Sequence, residues 1–430
     1  MGQFDDLIGS LKGDDGFAVM SPKDLVEQQY GFPLQHLAQQ FLFGATGLRV
    51  GVFNSISGLP QSCKSPLLFD LCGHVAASKD DGGLGGLALI YEMEGKISPS
   101  LLQSVLLKHG ESAVDNTVIV PCGTMDVALK HFNKKFLPGV RKAKKYDAPI
   151  LLGLDSIGGS GTEDVKAKLE AEGVVGKGFG DKPHFMKYFC ENATALLGDL
   201  PVVIVCINHE KEKIAANPFG PQPKEMMKVV GGTTQVYKAG FMVHTEYNEL
   251  ADKTGKIIKL RTLKTSFSDS RKIEVVFHWN KTGDSENPED MYGHRFDWAM
   301  SSARILADPA TFVGSVGDIR KICDVKIESD GSVTCPTFGM KSVPAEEWEA
   351  ALFSPEHKDV LDKLYVYLKI DKLKTVDEYA EHIKGKGKKQ EPKEDKPKEE
   401  KPKAKAKSKA KAKEPELGTL ELPGGDDDGK

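Results

Sequence analysis

Apolar residues follow two rhythms along this chain. Between Leu48 and Ile207, short runs that are apolar throughout alternate with stretches of helical spacing. The runs Leu48–Ile56, Gly86–Tyr91, Thr117–Val120, Pro149–Leu154 and Pro201–Ile207 predict strands. Ser65–Ala77, Ser98–Lys108, Val127–Phe136 and His184–Leu197 predict helices. A strand such as PVVIVCI has no polar face, so helices must cover both its sides. The alternation predicts an α/β fold with a mainly parallel sheet. Residues 1–45 predict a small helical element, its apolar spacing interrupted at Gly31-Phe32-Pro33. Lys256–Leu263 and Lys272–Trp279 predict paired strands that extend the sheet. Residues 287–372 predict a smaller mixed unit ending in a helix over His357–Leu368.

From Lys384 the chain turns to low complexity, KPKEEKPKAKAKSKAKAK and then LGTLELPGGDDDGK. Without aromatic residues it cannot offset the entropy of ordering, which predicts a disordered tail. The expected organisation is 1–45, a small N-terminal element; 46–285, the α/β core; 286–375, a C-terminal domain; and 376–430, the tail.

Composition narrows the setting. No run approaches the ~18 consecutive apolar residues of a membrane helix, and Met1–Asp6 has no secretory pattern. Seven widely spaced cysteines without a C-x-x-C pair predict free thiols in a reducing, cytoplasmic compartment. The net charge is −4, yet residues 384–430 carry 15 Lys against 11 acids, so the remainder is more acidic than the total. An acidic body argues against a protein coated all round by nucleic acid and leaves room for a local basic groove.

The most informative segment is Gly58-Leu59-Pro60-Gln61-Ser62-Cys63-Lys64-Ser65, between a predicted strand and helix. Its spacing matches the phosphate loop G-x-x-x-x-G-K-[ST]. There, backbone N–H groups and a helix N-terminus cradle phosphates, Lys64 meets the β/γ oxygens and Ser65 ligates Mg²⁺. Cys63 departs from the pattern, standing where a second glycine is expected. Downstream, the strand YDAPILLGLDS ends in Asp155 and Ser156, placing an acid where ligands bind in such sheets and where it can hold Mg²⁺. The strand LALIY ends in Glu92-Met93-Glu94, and alternation puts both glutamates on one side, either able to polarise water. Each acid alone would be an ordinary strand-end carboxylate; all of them after such a loop predict an ATP site.

The order of the loop, IYEMEGKISPSLL, LLGLDSIGGSGTEDV, VVIVCINHEKEKI and VVGGTTQVYKAG resembles RecA-type recombinases, most nearly the UvsX-like branch found in phages. The resemblance covers residues 45–285 and continues faintly to ALFSPEHKDVLDKLYVYLKI. It implies a RecA-like P-loop ATPase that uses ATP and Mg²⁺, forms helical filaments of itself on single-stranded DNA and exchanges strands with double-stranded DNA. A single-strand-binding protein and a recombination mediator are further candidate partners. Glu94 then matches the glutamate that activates the attacking water, Asp155 the magnesium-shell acid with Ser156 beside it, and His209 the γ-phosphate sensor.

The same resemblance places two DNA-binding loops after Asp155 and after His209. Their candidate contacts are Lys177 and Phe179 in the first, and Ile214, Phe219, Lys224, Lys228, Gly231 and Gly232 in the second. Cations for phosphates beside apolar wedges for bases suit a single strand. Lys259, Arg261 and Lys264 lie where the family supplies cations to a neighbouring subunit's ATP site. The basic tail departs from the acidic tails of the family; it predicts either non-specific duplex binding or a solubilising segment. Two rivals stay open: a DNA motor or regulatory paralogue of the same fold, and a DNA-binding scaffold with a decayed nucleotide site.

Overall fold

A computed structural model describes residues 29–143, 148–158, 161, 185–198, 200–212, 227–229, 234–251, 253–265, 270–279, 294–309, 319–375, 377–378 and 380–381. The expectations for residues 1–28 and for the tail beyond residue 381 lie outside the described residues.

The strands, in chain order, are β1 (Gly31–Pro33), β2 (Gly47–Arg49), β3 (Phe53–Gly58), β4 (Leu87–Glu92), β5 (Thr117–Pro121), β6 (Ile150–Asp155), β7 (Val202–Glu212), β8 (Met227–Val229), β9 (Phe241–Glu249), β10 (Gly255–Thr265), β11 (Lys272–His278), β12 (Arg295–Phe296), β13 (Lys326–Ile327), β14 (Val333–Cys335) and β15 (Met340–Val343). The principal helices are α1 (Leu37–Phe43), α2 (Lys64–Ala76), α3 (Pro99–Leu107), α4 (Trp298–Ala307), α5 (Ala345–Leu352) and α6 (Lys358–Tyr367).

Ten strands form one sheet in the order β12-β11-β10-β9-β3-β7-β6-β4-β5, with β8 pairing to β7 beside this path. From β9 to β5 every pair is parallel. From β9 to β12 the pairing is antiparallel. The fold is therefore α/β around a mostly parallel sheet, and the strands predicted at 256–263 and 272–279 do extend it.

Period-two alternation divides β7 between two cores. Val203, Val205 and Ile207 face one cluster, with α1, α2 and the C-terminal residues. Val202, Ile204 and Cys206 face the other, with the helical segments Met125–His131 and Tyr188–Ala193. The smaller sheet β13-β14-β15 and helices α4 to α6 join the first cluster through Val333, Trp348 and Leu364. Arg271 ties the ends of this layer together, donating to the Phe41 carbonyl and to the Lys369 carbonyl, each at 2.6 Å.

Two elements differ from their sequence patterns. The single strand expected over 48–56 is split into β2 and β3 by a turn at Val50-Gly51, where Gly51 has φ +71°. The apparent helix interruption at Gly31-Phe32-Pro33 is itself a strand, paired antiparallel with β2. A Pro at such an edge costs no sheet hydrogen bond.

Candidate nucleotide site

β3 ends at Gly58, and α2 starts six residues later at Lys64. Gly58 is required by space and backbone together. Its φ is +156°, and a Cβ there would run into the Thr245 carbonyl and hydroxyl. Between them the loop adopts the left-handed conformation twice at residues with side chains, Gln61 (φ 64°) and Cys63 (φ 55°). The second is the position at which the phosphate-loop pattern has glycine, so Cys63 keeps the backbone shape at a steric cost. Its thiol is buried, and burial pushes it up to about 12, which makes it a packing group and no nucleophile at neutral pH.

Cys63 is the N-cap of α2 and gives it no side-chain acceptor. The first-turn N–H groups of a 13-residue helix are thus available to an anion at the loop mouth. Ser62 anchors the loop from beneath through Thr245 Oγ1 at 2.6 Å and the Leu59 carbonyl at 2.8 Å. Lys64 reaches back to donate to the Leu59 carbonyl at 2.6 Å. Burial draws the Lys64 ammonium below its ordinary value against the opposing pull of Asp155, Glu210 and Glu94.

The acids converge because their strands are neighbours. β4 and β6 pair in parallel with Glu92 opposite Asp155, and β3 and β7 pair with Gly58 opposite His209. All four strands thus deliver their carboxyl ends to one place. Asp155 is 8% exposed and bonded to the Ser65 hydroxyl. Burial, reinforced by Glu94 and Glu92, pushes its carboxyl up to about 6, although Ser65 and Lys64 pull the other way. One carboxylate beside one hydroxyl is the donor set Mg²⁺ takes from a protein when phosphates and water fill its remaining positions, so these residues fit that ion.

The structure separates the two glutamates. β4 stops at Glu92, and one carboxylate oxygen of Glu92 accepts the backbone N–H groups of Glu94 (3.0 Å) and Lys96 (3.1 Å). Glu92 braces the turn. Glu94 faces the site, where it accepts from the Ser156 hydroxyl and lies 3.0 Å from His209 Nε2. Burial works to raise the Glu94 carboxyl, but the His209 hydrogen bond and charge, with Lys96, hold it below the ordinary glutamate value. His209 Nε2 is also 3.2 Å from Ser156 Oγ. Gly158 makes room for the imidazole, since a Cβ there would collide with the ring.

These residues line a cavity of about 670 Å³. Its wall also holds groups that sequence reasoning missed: Ile97, Leu101 on α3, Lys256 on β10, Phe277 on β11 and Trp279 just after it. The antiparallel extension of the sheet brings in the last three, and no local pattern marks them. Further in, His244 on β9 bridges Glu210 (2.7 Å) and Glu246 (2.8 Å), while Ser57 donates to Glu210 at 2.6 Å. That buried chain links the end of β3 to the segment of β7 that pairs with β8.

Lys259, Arg261 and Lys264 all lie on β10 but do not line this cavity. Arg261 is exposed, and Lys264 donates to the Tyr237 carbonyl at 2.6 Å. Of the DNA-contact candidates, the Lys228 backbone lies in β8; Lys177, Phe179, Ile214, Phe219, Lys224, Gly231 and Gly232 fall outside the described residues. Among the described residues no helix is long and apolar enough to cross a membrane. Comparison with known families finds no family model that matches the chain, and comparison with curated proteins finds no match.

Proposed function

We propose that this chain is a RecA-like, DNA-dependent ATPase that assembles as a filament on single-stranded DNA and exchanges strands with a duplex. The observation that carries the nucleotide half is the meeting of Gly58–Ser65, Asp155, Glu94 and His209 at the carboxyl ends of four adjacent parallel strands. The loop and the start of α2 hold the triphosphate, and Trp279 with Leu101 offers an apolar seat for a base. Ser65 and Asp155 would hold Mg²⁺, which would supply positive charge against the phosphates. Glu94, ionised at neutral pH, takes a proton from water as its oxygen attacks the terminal phosphorus and the bond to the departing diphosphate breaks. His209 and Ser156 keep the Glu94 carboxylate aimed.

The DNA half rests on the ordered motifs of the sequence and on the position of the β7–β8 pair. These two strands flank residues 213–226, the middle of the 211–232 loop that is the second of the two proposed to touch DNA, and β7 also carries His209. The test is phosphate release with and without single-stranded DNA, alongside electron microscopy with a slowly hydrolysed ATP analogue. DNA-stimulated turnover and helical filaments are expected. Rings with directional unwinding would favour a motor, and turnover indifferent to DNA would overturn the recombinase reading.

A further inference from the structure

We infer that Lys256 is a second phosphate cation of the nucleotide site, supplied by the same chain from β10, and the positioning residue that holds the phosphate loop open. This rests on the nucleotide reading above and assigns a residue that no loop pattern contains. Lys256 is 5% exposed and has no carboxylate partner among the described residues, a rare setting for an ammonium. Its Nζ donates to the Gln61 carbonyl at 3.0 Å and sits over the Tyr247 ring, 4.0 Å from its centroid, with the Trp279 ring at 5.0 Å. Both rings turn their faces, the electron-rich side of an aromatic, to the ammonium. Its side chain is also part of the cavity wall that Lys64, Asp155 and Glu94 share.

The contact falls where the loop is most strained. Gln61 and Cys63 both occupy left-handed backbone without being glycine. Lys256 grips the carbonyl of the first, while Ser62, between them, is tied to Thr245 on the neighbouring strand. Lys64 grips the Leu59 carbonyl. Two ammonium groups thus hold the carbonyls of Leu59 and Gln61, and each has further N–H donors beyond the one bound to the loop. The cavity already contains the carboxylates of Glu92, Glu94 and Asp155. A polyphosphate entering it needs more compensating charge than Lys64 provides, and Lys256 is the other buried cation in the wall.

The test is titration of ATP, ADP and AMP with magnesium into the full chain at low and moderate salt, for the wild type, K256M and K256R. K256M, which keeps the length and loses the charge, is expected to weaken ATP binding about tenfold or more. Its loss should be smaller for ADP, smallest for AMP, and reduced by salt, with K256R recovering part of it. If K256M does not fold, K256Q at the same position gives the same comparison. Equal affinity of K256M and wild type, or an equal loss for all three nucleotides, overturns the inference while leaving the nucleotide site standing. A wild-type chain that binds none of the three overturns the nucleotide reading itself and this inference with it.

Discussion

His209 Nε2 lies 3.0 Å from Glu94 Oε1, joining the end of β7 to the turn that follows β4. This contact sets the charge and the aim of the residue assigned as the base. His209 also lies on the strand that runs on to pair with β8.

Removing the imidazole should therefore act through Glu94. Burial alone raises the Glu94 carboxyl, and His209 is the largest influence opposing it. In His209→Ala the acid limb of the pH–rate profile should move to higher pH, and turnover at neutral pH should fall about tenfold or more. An unshifted acid limb would separate His209 from the base.

Asp155 presents the opposite sign. Burial pushes its carboxyl up to about 6 from an ordinary value of 3.8. A raised carboxylate favours the folded state below the unfolded value, and that advantage is lost as pH rises through the folded value. At pH 7 the ionised Asp155 thus costs stability, up to about 3 kcal/mol for a shift of this size. Asp155→Asn should melt higher than wild type at pH 7 and lose magnesium-dependent turnover, while the gap in melting temperature closes below pH 4. Calorimetry across pH checks this; a lower melting temperature at pH 7 would contradict it.

His244 and Glu210 form a pair that should stabilise over a bounded window. Hydrogen bonding to Glu210, then to Glu246, raises His244 above 6.5, outweighing burial. Its contribution is present below 6.5 and lost as pH rises through the raised folded value. For Glu210, burial is outweighed by His244, Ser57 and Arg261, so its carboxyl is held below 4.5. Its contribution is present above 4.5 and lost as pH falls through the depressed value. Breaking such a buried pair with His244→Gln should cost about 3 kcal/mol near pH 6. Denaturant melts at pH 6 and pH 9 check it, and the cost should shrink at the higher pH.

Trp279 lines the cavity, its ring 5.0 Å from Lys256 Nζ. Trp279→Ala should weaken nucleotide binding by about 1–2 kcal/mol and leave the maximal turnover rate near wild type, since it touches no reacting atom. A turnover rate that falls as steeply as affinity would move Trp279 closer to the chemistry.

Much of this arrangement is legible in the sequence because its parts are local. The loop, the strand ending in Asp155 and the helix after Lys64 each declare themselves within about ten residues, and parallel pairing then aligns their ends. Glu92 and Glu94 show where local reading stops. Alternation makes them equivalent, yet β4 ends between them and the turn uses Glu92 as an acceptor for its own backbone. Lys256, Tyr247 and Trp279 stayed hidden for another reason. Lys256 and Tyr247 meet Gln61, and Trp279 meets Lys256, only because β9 lies parallel beside β3 and β10 and β11 fold back antiparallel beyond it, a contact across more than 180 residues of sequence. The split of residues 48–56 into β2 and β3 hinges on one backbone angle at Gly51, which hydrophobic pattern does not encode.

The central claim is that Glu94 drives ATP hydrolysis at this site, and the most direct test is steady-state turnover of wild type and Glu94→Gln, each with a parallel binding titration. Wild type should hydrolyse ATP faster with single-stranded DNA. Glu94→Gln should bind ATP with near wild-type affinity and lose about 100-fold or more in turnover. Binding without any wild-type hydrolysis, or turnover that survives in Glu94→Gln, would contradict the account.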